Sequence, residues 1–247
     1  SEALKEKEKE IIQNNKNRSQ PKYKGAGDIF NNFSKSVVFI GNRKNNRIVG
    51  VGSGFIIKQK GKLRIITNWH VVNNADSLSV WTEPSMEVDE NYLISKVDSY
   101  SAKLIKENKT KDLAMLEVEG LPVKIHPVTY GKFTKSLIGK QAYAIGHPNG
   151  YLWTFTSGMI SQVRPNYQWP YKSSNHQADV IQMQVPINPG NSGGPLFNEK
   201  EELIGLNTFT TDGENLNFAI AVSDVVKFIN EKPKPIKKKK SKYIQKK

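Results

Sequence analysis

The sequence predicts an all-β fold of sandwich or barrel type, closed by one short helix near its C-terminus. Two observations predict it. Short apolar runs bounded by turn residues recur at fairly regular spacing between residues 36 and 221, the pattern of antiparallel strands. Long amphipathic helices are missing between these runs, which disfavours a parallel sheet with helical crossovers. A chain of 247 residues is long enough to bury a sizeable core.

Residues 1–12 alternate Glu and Lys, with pairs such as Glu6 and Lys9 on one face, and read as an exposed helix. The polar stretch 13–27 reads as linker. Strands are expected at 37–40, 49–57, 63–67, 78–81, 92–97, 102–105, 113–118, 141–145, 155–163, 180–185, 203–206 and 216–221. The segment 164–177 reads as an aromatic loop, since Tyr167, Trp169 and Tyr171 alternate there with polar residues and two prolines. It is expected either to contact substrate and gate the site or to cover the body. Residues 222–230 read as the closing helix, with Ser223 as cap and Val225, Val226, Phe228 and Ile229 as its apolar face.

The net charge of +14 sits at the ends. Residues 232–247 hold nine lysines and no acid, and residues 1–24 carry +3, which leaves +2 for 25–231. That distribution argues against a basic nucleic-acid groove on the folded body. The tail cannot bury enough apolar surface to fold and reads as disordered. Its lysines would be attracted to an anionic membrane or to nucleic acid. No apolar run approaches the roughly 20 residues that span a bilayer. Cysteine is absent, so no disulfide supports the fold. No signal peptide is visible at Ser1. The four scattered histidines offer no metal-ligand spacing, and no phosphate-cradling loop appears. No metal and no cofactor is expected.

Three strings carry chemistry: Thr67-Asn68-Trp69-His70-Val71-Val72, Lys111-Asp112-Leu113-Ala114-Met115-Leu116 and Pro189-Gly190-Asn191-Ser192-Gly193-Gly194-Pro195. A serine hydroxyl needs a neighbouring base to attack a carbonyl. Histidine titrates near neutrality and suits that role. A buried aspartate holds the imidazole in the right tautomer. Ser192 is thus the candidate nucleophile, His70 the base and then acid, and Asp112 the orienting carboxylate. The backbone around Gly190, Asn191 and Ser192 is the candidate oxyanion hole, with the N–H groups of Gly190 and Ser192 as donors. Residues 190–194 also satisfy G-x-S-x-G, but that hydrolase arrangement needs a histidine after the serine. His70, His126, His147 and His176 all precede Ser192. A subtilisin-like order through Asp28 would require an α/β scaffold, which the strand pattern opposes.

These strings resemble those of the trypsin-fold serine endopeptidases, and within them the HtrA/Deg family. The resemblance extends to Asp28-Ile29-Phe30, Ser36-Val37-Val38-Phe39-Ile40, Gly52-Ser53-Gly54-Phe55-Ile56-Ile57, Ala144-Ile145-Gly146-His147-Pro148, Ile187-Asn188-Pro189-Gly190-Asn191-Ser192 and Asn217-Phe218-Ala219-Ile220-Ala221. It implies two packed six-stranded antiparallel β-barrels, roughly 36–130 and 131–221, within a protease domain at 28–231. His70 and Asp112 would come from the first barrel and Ser192 from the second. It implies ATP-independent cleavage of unfolded or partly folded protein and peptide substrates after export, to the periplasm or elsewhere. It also implies a homotrimer built on aromatic residues before the first strand, here Phe30 and Phe33, although packing on their own subunit explains them equally.

Two departures stand out. Trp69 occupies a position where the family commonly has a small residue. Too few residues follow Ile229 to build the PDZ domain that most of the family carries, so activation through one is not expected within this chain.

Pro186 stands where a trypsin-type enzyme carries an acid, so a basic side chain before the scissile bond would be left unpaired. Ile187, Thr208, Phe209 and Phe218 suggest an apolar lining and a preference for small or medium aliphatic residues. The competing expectations are a protease fold that binds without turnover, with Trp69 displacing His70, and a scaffold tethered by its basic tail.

Overall fold

A computed structural model describes residues 25–83, 99–121, 124–211 and 216–232. The expected N-terminal helix, the strand at 92–97 and the basic tail lie outside these residues.

Six strands close the first barrel in the order β1-β2-β3-β6-β5-β4: β1 (Val37–Lys44), β2 (Arg47–Gln59), β3 (Lys62–Thr67), β4 (Ser77–Thr82), β5 (Tyr100–Asn108) and β6 (Leu113–Val118). All its pairs are antiparallel. The second sheet runs β11-β8-β9-β10-β13-β12-β7. Its strands are β7 (Thr129–Tyr130), β8 (Gln141–Gly146), β9 (Thr154–Tyr171), β10 (Ser174–Met183), β11 (Pro195–Asn198), β12 (Glu202–Thr210) and β13 (Asn217–Ala221). An added β11–β12 pairing joins six of these into a ring, with the short β7 attached parallel to β12.

Strand alternation explains why β1 reads as an unbroken apolar run. Val38 and Ile40 point into the first barrel with Ile56, Ile65, Val80 and Leu116. Val37 and Phe39 join a different layer, with Phe55, Phe197, Leu206 and Phe228. That layer draws on both barrels. A strand buried on both faces has no polar face to alternate with.

The closing helix is observed as expected, as α3 (Val222–Asn230). Its cap is not Ser223: Ala221 is the N-cap residue, and the Ser223 hydroxyl donates to Asp179. The Lys106 ammonium donates to the Phe228 and Glu231 carbonyls and so satisfies the helix C-terminus. Asp224 accepts from Lys111 of the first barrel at 2.9 Å and from the Asp179 N–H of the second at 2.7 Å. The helix therefore ties both barrels to the residue next to Asp112.

Other expectations need correction. The linker's last residues start a helix, α1 (Ala26–Phe33). Phe33 is buried and stacks on Phe197 at 4.4 Å, while half-buried Phe30 meets Phe155 edge-on at 6.1 Å. The segment 164–177 is not a loop. It is the end of a long β9–β10 hairpin, paired from Ser174–Tyr171 inward. Its aromatic residues alternate because strand faces alternate. Tyr167 and Trp169 stack on Phe209, and Trp169 is buried.

Candidate active site

His70 sits in a one-turn helix, α2 (Trp69–Val72), at the end of β3. Asp112 opens β6 in a left-handed conformation with φ of 54°, an uncommon conformation for a residue with a side chain. Its backbone holds it there. The Asp112 carbonyl accepts from the Trp69 N–H at 3.1 Å and from the Asn68 amide at 3.0 Å. The carboxylate is fully buried and receives the His70 N–H at 2.9 Å, His70 Nδ1 at 2.8 Å and the Thr208 hydroxyl at 2.8 Å. An ionised carboxylate only accepts, so His70 carries a proton on Nδ1, and the neutral ring presents a lone pair at Nε2.

Trp69 does not disturb this pair. Its indole is buried, donates to Glu107 at 3.1 Å and lies 5.9 Å from the ring of His176 in the β9–β10 hairpin. At the hairpin end, Tyr171 lies 4.5 Å from the His70 ring.

Ser192 lies in the loop before β11. Its carbonyl accepts from the Ser53 N–H at 2.8 Å, and its hydroxyl donates to the Thr208 carbonyl at 2.8 Å. In this state the Ser192 hydroxyl therefore points its proton at the Thr208 carbonyl rather than at His70. His70, Gly190 and Ser192 face one cavity of about 440 Å³ between the barrels.

The Pro189–Gly190 peptide has a fixed orientation. The Pro189 carbonyl accepts from the Asn149 N–H at 2.7 Å. In a trans peptide the N–H points opposite its carbonyl, so Gly190 N–H is turned away from Asn149. Among the described residues, neither the Gly190 N–H nor the Ser192 N–H has an acceptor. Gly190 has φ of 105°, and a Cβ there would overlap the His147 carbonyl, so only glycine fits.

The next peptide is fixed from behind. The Gly190 carbonyl accepts from Ser53 Oγ at 2.7 Å, and Ser53 Oγ also meets His147 Nδ1 at 2.8 Å. A hydroxyl has one proton, so Nδ1 is the donor in that contact. His147 is wholly buried against the rings of Phe39 and Trp153. Burial pushes its pKa down to about 3, which keeps the ring neutral.

Three of the four residues expected to line a specificity pocket are neighbours, Thr208 and Phe209 along β12 and Phe218 beside them on β13. Ile187 belongs to the second barrel's interior, while Phe209 and Phe218 stack at 4.6 Å in the layer with Tyr167 and Trp169. Thr208 bonds to Asp112. None of the four lines the cavity. Asn191 is buried with its side chain on the Pro186 carbonyl. Sequence reasoning missed Thr208 as a partner of Asp112, and Ser53 and His147 as supports of Gly190. A histidine set between Gly146 and Pro148, just after the apolar run of β8, was the available signal for His147. No group of three or more metal-ligating side chains occurs among the described residues.

The decisive comparison is with a family model, the trypsin-like peptidase domain, which matches residues 52–206. The chain belongs to the trypsin-like peptidase family. Within it the chain is HtrA/Deg-like. It is 34% identical over 180 residues to Protease Do-like 1, chloroplastic, of Arabidopsis thaliana, covering 71% of this chain and 38% of that protein. It is 37% identical over 176 residues to a probable periplasmic serine endoprotease, DegP-like, of Ectopseudomonas mendocina, covering 70% and 32%. The chain thus spans about a third of the length of these two relatives. Among solved structures it is similar to Deg5, with a TM-score of 0.63 and 29% identity over 81% of this chain and 90% of that one.

Proposed function

We propose that this chain is a serine endopeptidase that hydrolyses peptide bonds through an acyl-enzyme. The observation that carries the reading is the Asp112–His70 pair at 2.8 Å facing the same cavity as Ser192. On substrate binding the Ser192 hydroxyl turns from the Thr208 carbonyl to His70 Nε2. That exchange gives up one neutral hydrogen bond, worth about 1 kcal/mol, and makes another. Oγ then attacks the scissile carbonyl while Nε2 takes its proton. The oxyanion meets the N–H groups of Gly190 and Ser192. The intermediate collapses, Nε2 hands the proton to the leaving amine, and an acyl-serine remains. Water repeats the sequence, with Nε2 again as base, and releases the acid. Asp112 keeps the Nδ1–H tautomer and stabilises the imidazolium without taking the proton.

The substrates are unfolded or partly folded proteins, with small or medium aliphatic residues before the scissile bond, because Pro186 offers no acid to pair a basic one. The relatives named periplasmic and chloroplastic support an exported or organellar setting. The parked Ser192 hydroxyl gives the alternative, a silent binding protein, its one structural argument. Cleavage of an unfolded protein by the wild type, absent in Ser192→Ala, tests the reading; equal cleavage by both would refute it.

A further inference from the structure

The cavity above the candidate serine is walled by two hairpins, one from each barrel. The β1–β2 hairpin contributes Lys44, Val49 and Val51. The end of the β9–β10 hairpin contributes Tyr171 and Lys172. Val49 is 58% exposed and Val51 38%, an unusual pair of apolar side chains left open beside a reactive centre. The lining residues include both lysines and no acid. Among the described residues neither lysine is ion-paired; Lys172 only rests 5.4 Å over the Tyr171 ring. Arg47, opposite Lys44 in the hairpin, adds a further cation.

The side of the scissile bond served by this cavity follows from what it excludes. Ile187, Thr208, Phe209 and Phe218, which the sequence leads one to expect on the acyl side, all lie outside it. His70, which returns the proton to the leaving amine, lies on it. We infer that the cavity between the two hairpins binds the segment after the scissile bond and selects an apolar residue followed by acidic ones. Val49, Val51 and Tyr171 take the apolar side chain. Lys44 and Lys172 meet carboxylates on the next residues. The inference rests on the proposed peptidase activity and adds a substrate class to it: acidic polypeptides cut ahead of their acidic stretch.

The test uses two quenched fluorescent peptides, identical through the scissile bond and the residue after it. They differ only at the second and third residues beyond the bond, Glu-Glu in one and Lys-Lys in the other. Exposed charge pairs each change affinity by up to about fivefold, so the wild type should cut the Glu-Glu peptide with kcat/KM about tenfold higher. Added salt should shrink that ratio. In Lys44→Glu/Lys172→Glu the ratio should fall below one. Lys44→Gln/Lys172→Gln should bring it near one, and serves if the reversed variant does not fold. Each ratio is internal to one protein, so loss of overall activity cancels. A fluorophosphonate, which carries no peptide after the reacting bond, reports Ser192 separately. Labelling with a wild-type ratio of one, or a ratio unchanged in both variants, overturns the subsite and leaves the peptidase standing. Neither labelling nor cleavage overturns both.

Discussion

His147 should make this protein acid-sensitive by a calculable amount. In the folded state its pKa is pushed from the ordinary 6.5 down to about 3 by burial. Between those values the unfolded chain binds a proton there that the folded chain refuses. Stability therefore falls as pH drops below 6.5, with a slope of one proton, and the loss levels off near pH 3. At pH 5 the difference is 1.5 pH units, or about 2 kcal/mol relative to pH 7.5. The perturbation is His147→Asn, whose amide N–H replaces Nδ1–H toward Ser53 but does not titrate. That variant leaves space beside Phe39 and Trp153 and should be less stable at neutral pH. Its stability should nevertheless depend on pH less steeply. The assay is urea unfolding of both proteins at pH 7.5, 6 and 5. Contributions of the other histidines are shared and cancel in the difference. Parallel pH profiles would refute the reasoning, because they would mean that His147 takes up its proton equally in both states.

Three further outcomes follow, two from the site and one from the closing helix. Asp112→Asn should lower kcat by about 10⁴-fold at neutral pH, because an amide no longer enforces the Nδ1–H tautomer of His70. Ser53→Ala removes the donor to the Gly190 carbonyl; since losing an oxyanion donor outright costs about 10²–10³-fold in kcat, loosening one should cost about tenfold, with KM little changed and rescue by Ser53→Thr. A comparable rise in KM, or no rescue, would assign Ser53 to packing alone. Lys106→Met should destabilise the fold by about 1–3 kcal/mol in urea titration, since the last carbonyls of α3 lose their buried donor.

The sequence exposed the parts that local chemistry dictates. Ser192 was legible because a nucleophile loop needs glycines at the positions where backbone must approach closely, and Gly190 with its φ of 105° shows why. Twelve strands and a closing helix were expected from apolar runs, and most were found slightly longer than those runs. Hairpin ends such as Arg43–Lys44 are polar but still paired, so pattern alone stops short of them. The β9–β10 hairpin was misread for a related reason. Its prolines and polar residues signal a turn, but its other face stacks on Phe209 and Phe218, a contact formed only after β12 and β13 are in place. Thr208, Ser53 and His147 were hidden more deeply. Each acts through a residue far away in sequence: Thr208 bonds across 96 positions to Asp112, and Ser53 across 137 to Gly190. No local spacing encodes such contacts. Asp112 alone carries no more signal than another aspartate of the chain; its place between His70 and Ser192, in an order that few folds use, gives it weight.

The proposed catalysis requires an activated nucleophile at Ser192. Its most direct test is intact-mass analysis after incubation with a fluorophosphonate, comparing the wild type with Ser192→Ala. One added label is expected on the wild type and none on the variant. A folded wild type left unlabelled, or a label that persists on Ser192→Ala, would contradict it.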